Sequence, residues 1–168
     1  MFKDLYHNAP PVDLLTPVTQ DIGALGTTAY TAVDRQDALG GVEFEVFIGT
    51  QTSDDAIADD HIAIGLEDSA NNSTFATVAD ADIEGFSVED TTRTELSYED
   101  EDNGYFKQLD SADDDNMLYI LRYTGTKRYV RAKLFEVGTG GSAPVSIAAR
   151  LVCPRQAGNS SVFPANEG

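Results

Sequence analysis

Tryptophan is absent from this chain of 168 residues, and cysteine occurs once. A single thiol, Cys153, excludes an internal disulfide and any cluster of thiolates around zinc. Beside Leu151 and Val152 it reads as a small core residue. Histidine is scarce too: His7 and His61 lie far apart, with no serine or cysteine nucleophile motif near either. Apolar runs are short, and none approaches the roughly 20 residues of a membrane span. The opening Met1–His7 lacks the continuous apolar stretch of a signal peptide. The expectation is a soluble protein that is not exported by that route. No stretch of a dozen residues sustains a helical apolar stripe; at most Asp54–Ile62 suggests one short helical turn.

Positive charge is the other scarcity. The formal net charge is −18. Residues 1–121 hold 27 acidic and 4 basic side chains, whereas residues 122–168 hold 2 acidic and 7 basic ones, so nets of −23 and +5 make up the −18. Phosphate binding needs cationic side chains, so most of this surface should repel nucleic acid. Such a chain is soluble and self-repelling at low salt. The acid excess suits a saline habitat, and it equally suits plain solubility.

What the chain does have is period-two alternation in short segments bounded by Gly, Asp, Asn and Ser. In Val42–Ile48, Val42, Phe44, Val46 and Ile48 point one way and Glu43 and Glu45 the other, which is a half-buried strand. His61–Glu67 repeats the pattern with Ile62, Ile64 and Leu66 inward. Tyr129–Val137 alternates with Val130, Ala132 and Leu134 on one face, and Val145–Leu151 with Val145, Ile147, Ala149 and Leu151. Met117–Tyr123 is strongly apolar and aromatic. Weaker strands are expected near Phe75–Val78, Phe86–Val88, Thr94–Tyr98 and Tyr105–Gln108. These segments predict an all-β, antiparallel β-sandwich, jelly-roll-like, over residues 21–156. The expected core contains Val42, Phe44, Val46, Ile48, Ile62, Ile64, Leu66, Val130, Leu134, Ile147 and Leu151. Pro10, Pro11 and Pro17 make residues 1–20 read as an extended N-terminal arm that contacts a neighbouring chain. Residues 157–168 read as a loose C-terminal tail.

Candidate chemistry is thin. Gly138-Thr139-Gly140-Gly141-Ser142 lacks the Lys-Ser/Thr ending of a phosphate loop and leads into a strand, so a hairpin loop is expected. Asp100–Gly104 resembles the start of an EF-hand loop, but its glycine comes one place early and Ser111 stands where the bidentate glutamate should be. The acidic clusters around Asp55, Asp102 and Asp114 read as solvated loops, and no specific metal site is expected. No catalytic residue and no cofactor-binding residue is assigned. The strongest local signal is Tyr123–Arg131. Thr124–Lys127 reads as a hairpin turn in which Gly125 supplies a positive φ. Arg128, Tyr129 and Arg131 are the candidates for partner contact, because Tyr and Arg dominate interface hot spots. The competing reading is that these arginines stack on tyrosine and brace their own sheet.

Gly41-Val42-Glu43-Phe44, Gly49-Thr50, Leu66-Glu67-Asp68-Ser69, Val78–Gly85, Tyr123–Ala132 and Pro154-Arg155 occur in this order over roughly residues 18–156. The ordered set resembles a family of small proteins encoded among the head genes of tailed phages, the capsid decoration or cement proteins. The resemblance implies a virion structural protein on the exterior of the capsid, assembled in the host cytoplasm. Its implied partner is the major capsid protein, and it implies a homo-oligomer, dimer or trimer, on the shell. It implies no enzyme activity and no cofactor; the acid excess and the short apolar runs set the expectation of no nucleic-acid and no membrane partner. The alternatives are a head–tail connector or tail structural protein, and a ligand-binding β-sandwich module, which the lack of Trp weakens.

Overall fold

The alternating segments form strands. The computed structural model describes residues 12–21, 27–35, 41–52, 60–89, 92–100, 104–138 and 140–151. Its strands are β1 (Val12–Asp21), β2 (Thr27–Ala29), β3 (Val33–Asp34), β4 (Val42–Ile48), β5 (His61–Ser69), β6 (Ala76–Thr77), β7 (Ile83–Glu89), β8 (Thr92–Leu96), β9 (Lys107–Leu109), β10 (Met117–Tyr123), β11 (Tyr129–Val137) and β12 (Ser142–Leu151). The first sheet has the order β1-β12-β4-β10-β7-β8. The second has the order β2-β11-β5-β6, with β3 also on β11 and β9 also on β5. The pairings are antiparallel.

The two sheets pack face to face as a β-sandwich. From β8 onward, successive strands alternate between them. The inward residues of β4, Val42, Phe44, Val46 and Ile48, are buried, as are Ile62, Ile64, Leu66, Val130, Leu134 and Ile147. Of the expected core only the Leu151 side chain lies outside the described residues. Tyr119, Tyr123 and Phe106 are the largest aromatic additions to the core.

Four expectations change. Residues 12–21 are not a separate arm: they form β1, paired along β12 from Val12 opposite Ala149 to Asp21 opposite Ser142. The prolines permit this because Pro17 falls at a register shift between Leu15 and Val18 on an edge strand, where a missing N–H is tolerated. Leu14 and Leu15 pack against the core. Residues 1–11 and the tail lie outside the described residues, as do His7, Cys153, Asp55, Asp102 and residues 53–59 of the suggested helical turn.

The segment between β10 and β11 is not a hairpin turn, because those strands belong to different sheets. The same holds for Gly138–Ser142, between β11 and β12. Alternation reports which way a side chain faces and is silent on which strand is the neighbour. Gly125 is also not among the glycines with positive φ. It is required for a different reason: a Cβ there would come within 2.5 Å of the Tyr123 hydroxyl oxygen.

Gly85 of β7 is a second such position. A side chain there would run into the ring of Phe106, which closes the core from the far side. Gly85→Ala is therefore expected to destabilise the protein by about 1–3 kcal/mol or more by overpacking. Adding Phe106→Leu, which removes the offending ring atoms, should recover part of the loss of thermal stability relative to Gly85→Ala alone. Equal melting temperatures for the two would contradict this packing.

Candidate partner-binding surfaces

Of the residues expected at an interface, Tyr129 and Arg131 lie on β11, on the outer face of the second sheet, and Arg128 directly precedes that strand. Alternation buries Val130, Ala132 and Leu134 and turns Tyr129, Arg131 and Lys133 outward. Register then decides what they meet. Arg131 stands directly opposite Glu67 of β5, and Lys133 stands opposite Gly65. Arg131 donates to Glu67 Oε2 from Nε at 2.9 Å and from Nη2 at 2.6 Å. Lys133 Nζ donates to the other carboxylate oxygen. The Arg131 guanidinium also lies 3.8 Å over the ring of Phe75, and Lys133 lies 4.8 Å from the centroid of Phe135.

Glu67 thus serves two cations at once. Burial alone would raise its carboxyl pKa, but the hydrogen bonds and charges of Lys133 and Arg131 outweigh that and hold it below the ordinary range.

Arg128 turns toward the sheet edge. It forms a fork with Asp34 of β3, Nε to Oδ1 at 2.8 Å and Nη2 to Oδ2 at 2.7 Å, and lies 4.9 Å from the ring of Tyr129. Both partners are over 40% exposed, so this pair contributes less than about 1 kcal/mol. The structure therefore gathers Arg128, Tyr129 and Arg131 on one side of the molecule, with both guanidinium groups engaged by the chain's own acidic half. That geometry braces the sheet.

The corner before them is built from the inside. Tyr123, at the end of β10, donates its hydroxyl proton to the buried Asp68 carboxylate of β5 at 2.8 Å. Its oxygen accepts from the Lys127 backbone N–H at 3.0 Å. Arg35 lies 4.8 Å over the Tyr123 ring and donates to the carbonyls of Gly125 at 2.6 Å and Lys127 at 2.9 Å. Burial first, and then the hydrogen bond to Asp68, pushes the Tyr123 hydroxyl pKa far above its usual value.

The acidic cluster expected to be solvated is only partly so. Asp113 is exposed, but Asp114 and Asp115 are half-buried. Asp114 lies 3.4 Å from Lys107 and accepts from the Tyr119 hydroxyl, while Asp115 accepts from the Gln51 backbone N–H at 3.0 Å. A lysine and a tyrosine reaching the same loop repay the lost hydration. Among the described residues, no group of three or more His, Cys, Asp or Glu side chains is placed to hold a metal ion. His61 is buried at the start of β5, with Nε2 3.2 Å from Gln108 Oε1.

A surface missed in the sequence lies on the outer face of the first sheet. Register places Phe47, Leu118 and Val88 in one row across β4, β10 and β7, and Ile120 beside Phe86 in the next. Phe47 is 40% exposed, the other four are half-buried, and Val18 on β1 is 43% exposed. The signal was present: Phe47 breaks the polar phase set by Glu43 and Glu45, and Met117–Tyr123 is apolar in both phases, so one phase had to face outward. No protein-family profile, curated protein or solved structure matches this chain.

Glu67→Gln should lower stability by about 1–3 kcal/mol, since it leaves two cations short of their acceptor. The pH dependence has a fixed sign. Because the folded carboxyl titrates below its ordinary value of 4.5, its stabilisation is complete above that pH. It is lost as the pH falls through the folded-state value. The stability gap between wild type and Glu67→Gln, measured by urea unfolding, should therefore close on acidification. A gap that widens toward low pH would contradict it.

Proposed function

We propose that this protein is a structural component of a tailed-phage virion. It decorates and stabilises the capsid by binding the outer surface of the shell built from the major capsid protein, and it catalyses no reaction. The ordered sequence resemblance to phage head decoration proteins supports the virion role. The observation that carries a binding role is the contrast between the two outer faces of the sandwich. On the second sheet every residue of β5 is buried, including the outward-facing His61, Ala63, Gly65, Glu67 and Ser69. Phe135, edge-on to Tyr105 with centroids 4.6 Å apart, and Phe75 over Arg131 help to cover that side. Among the described residues, no strand lies over the outer face of the first sheet, where Phe47 is exposed and Leu118, Val88, Ile120 and Phe86 are half-buried. A strongly acidic, self-repelling protein that keeps a flat apolar sheet face open has a surface suited to a partner.

Counting copies per purified particle by quantitative mass spectrometry tests the reading. Decoration of a shell requires hundreds of copies, whereas a head–tail connector ring requires about a dozen, because each follows the symmetry of its site. Absence from purified particles would overturn the virion role.

A further inference from the structure

We propose that the outer face of the first sheet is where the partner seats, and that its occupant is an apolar side chain on a cationic segment of the shell protein. The inference deepens the decoration reading and rests on it. Its centre is a shallow pocket of about 220 Å³. The pocket exists because β1 and β12 slip in register between Leu15 and Val18, where Thr16 and Pro17 stand against the single Ser146. A bulge of this kind bends an edge strand and re-aims its side chains, and bulges collect at binding sites. Leu15 and Thr16 form one wall, Phe47 and Leu118 the other, and Ala148 lies between them, with Glu45 also in the lining. The volume falls short of the roughly 300–1,000 Å³ of small-molecule sites and suits one side chain. Phe47, exposed at the pocket wall, supplies the kind of aromatic anchor that dominates interface energetics.

Charge selects the occupant. Among the described side chains on this face, the row next to the apolar band carries Glu43, Arg122 and Glu84, and the ends of the apolar rows carry Glu45, Glu95 and Arg93. Arg122 pairs with Glu43 and Glu84, and Arg93 lies 3.7 Å over the ring of Phe86. Four carboxylates against two guanidinium groups leave these described side chains net acidic, on a molecule of net charge −18. A second copy of this chain would bring the same excess against itself, whereas a cationic surface would be attracted.

The test uses capsid shells stripped of the protein and rebinding of purified full-length chain. Phe47→Glu and Ala148→Glu introduce charge at the pocket without touching the buried core. Each should keep a melting temperature close to wild type and weaken shell binding by roughly tenfold or more. Wild-type binding should also weaken as NaCl is raised from about 0.05 to about 0.5 M, as ion pairing at a rim is screened. Unchanged binding by both variants would overturn the inference, as would rebinding that is indifferent to salt. A wild-type dimer in sedimentation velocity that Phe47→Glu dissociates would assign the face to self-association and overturn the proposed occupant. Failure of the wild type itself to bind stripped shells would instead overturn the decoration reading.

Discussion

The two sheets of a sandwich are held together mainly by undirected apolar contact, and a directed bond between them fixes how they sit. Here that bond is the hydrogen bond from Tyr123, on β10, to Asp68, on β5, buried in the core. A buried carboxylate without partners would be severely destabilising, so the tyrosine hydroxyl must stay where it is. Its position then dictates the corner. Lys127 N–H closes onto the same oxygen, Arg35 covers the ring, and Gly125 leaves the space the ring needs. β11 leaves this corner in the register that sets Arg131 opposite Glu67 and Arg128 within reach of Asp34.

The charge asymmetry along the chain acquires a structural meaning from this arrangement. Among the described residues, the paired cations of the C-terminal part do not stand apart as a basic patch. Arg122, Arg128, Arg131 and Lys133 each meet carboxylates that come from residues 34–84. The fold uses its few positive side chains as cross-braces between strands distant in sequence. Among the described residues, that use leaves carboxylates in excess beside the apolar rows on the outer face of the first sheet.

Much of the strand framework was legible in the sequence. Val42–Ile48 and Tyr129–Val137 coincide with β4 and β11, because alternation has one physical solution on a half-buried sheet, and the short apolar and aromatic run Met117–Tyr123 coincides with β10. β2 and β3 are three and two residues long and carry too few side chains to show a period. The pairing of β1 was hidden by Pro17, which argues against a strand unless a bulge is already known. The inter-sheet corners were hidden for the same reason as the ion pairs: a pattern along one segment gives orientation, and partners come only from register. The candidate surface was half legible. An apolar residue at Phe47, in the polar phase of its strand, marked a face without telling which neighbours would join it.

The outermost position of β1 has a kinetic consequence. β1 lies against β12, so the first described strand finds its place only beside the last, and β12 also supplies one flank of the central β4. The edge of the first sheet therefore cannot be completed until residues more than 120 positions apart have met. Closing such long loops costs entropy before any contact rewards it, so folding should be slow for a domain of this size. During synthesis β4 would wait without either of its sheet neighbours, β10 and β12, with Phe44 and Phe47 both open to solvent. The long acidic stretch that precedes β10 would then keep unfinished chains apart while the strands that complete the sandwich are still being added.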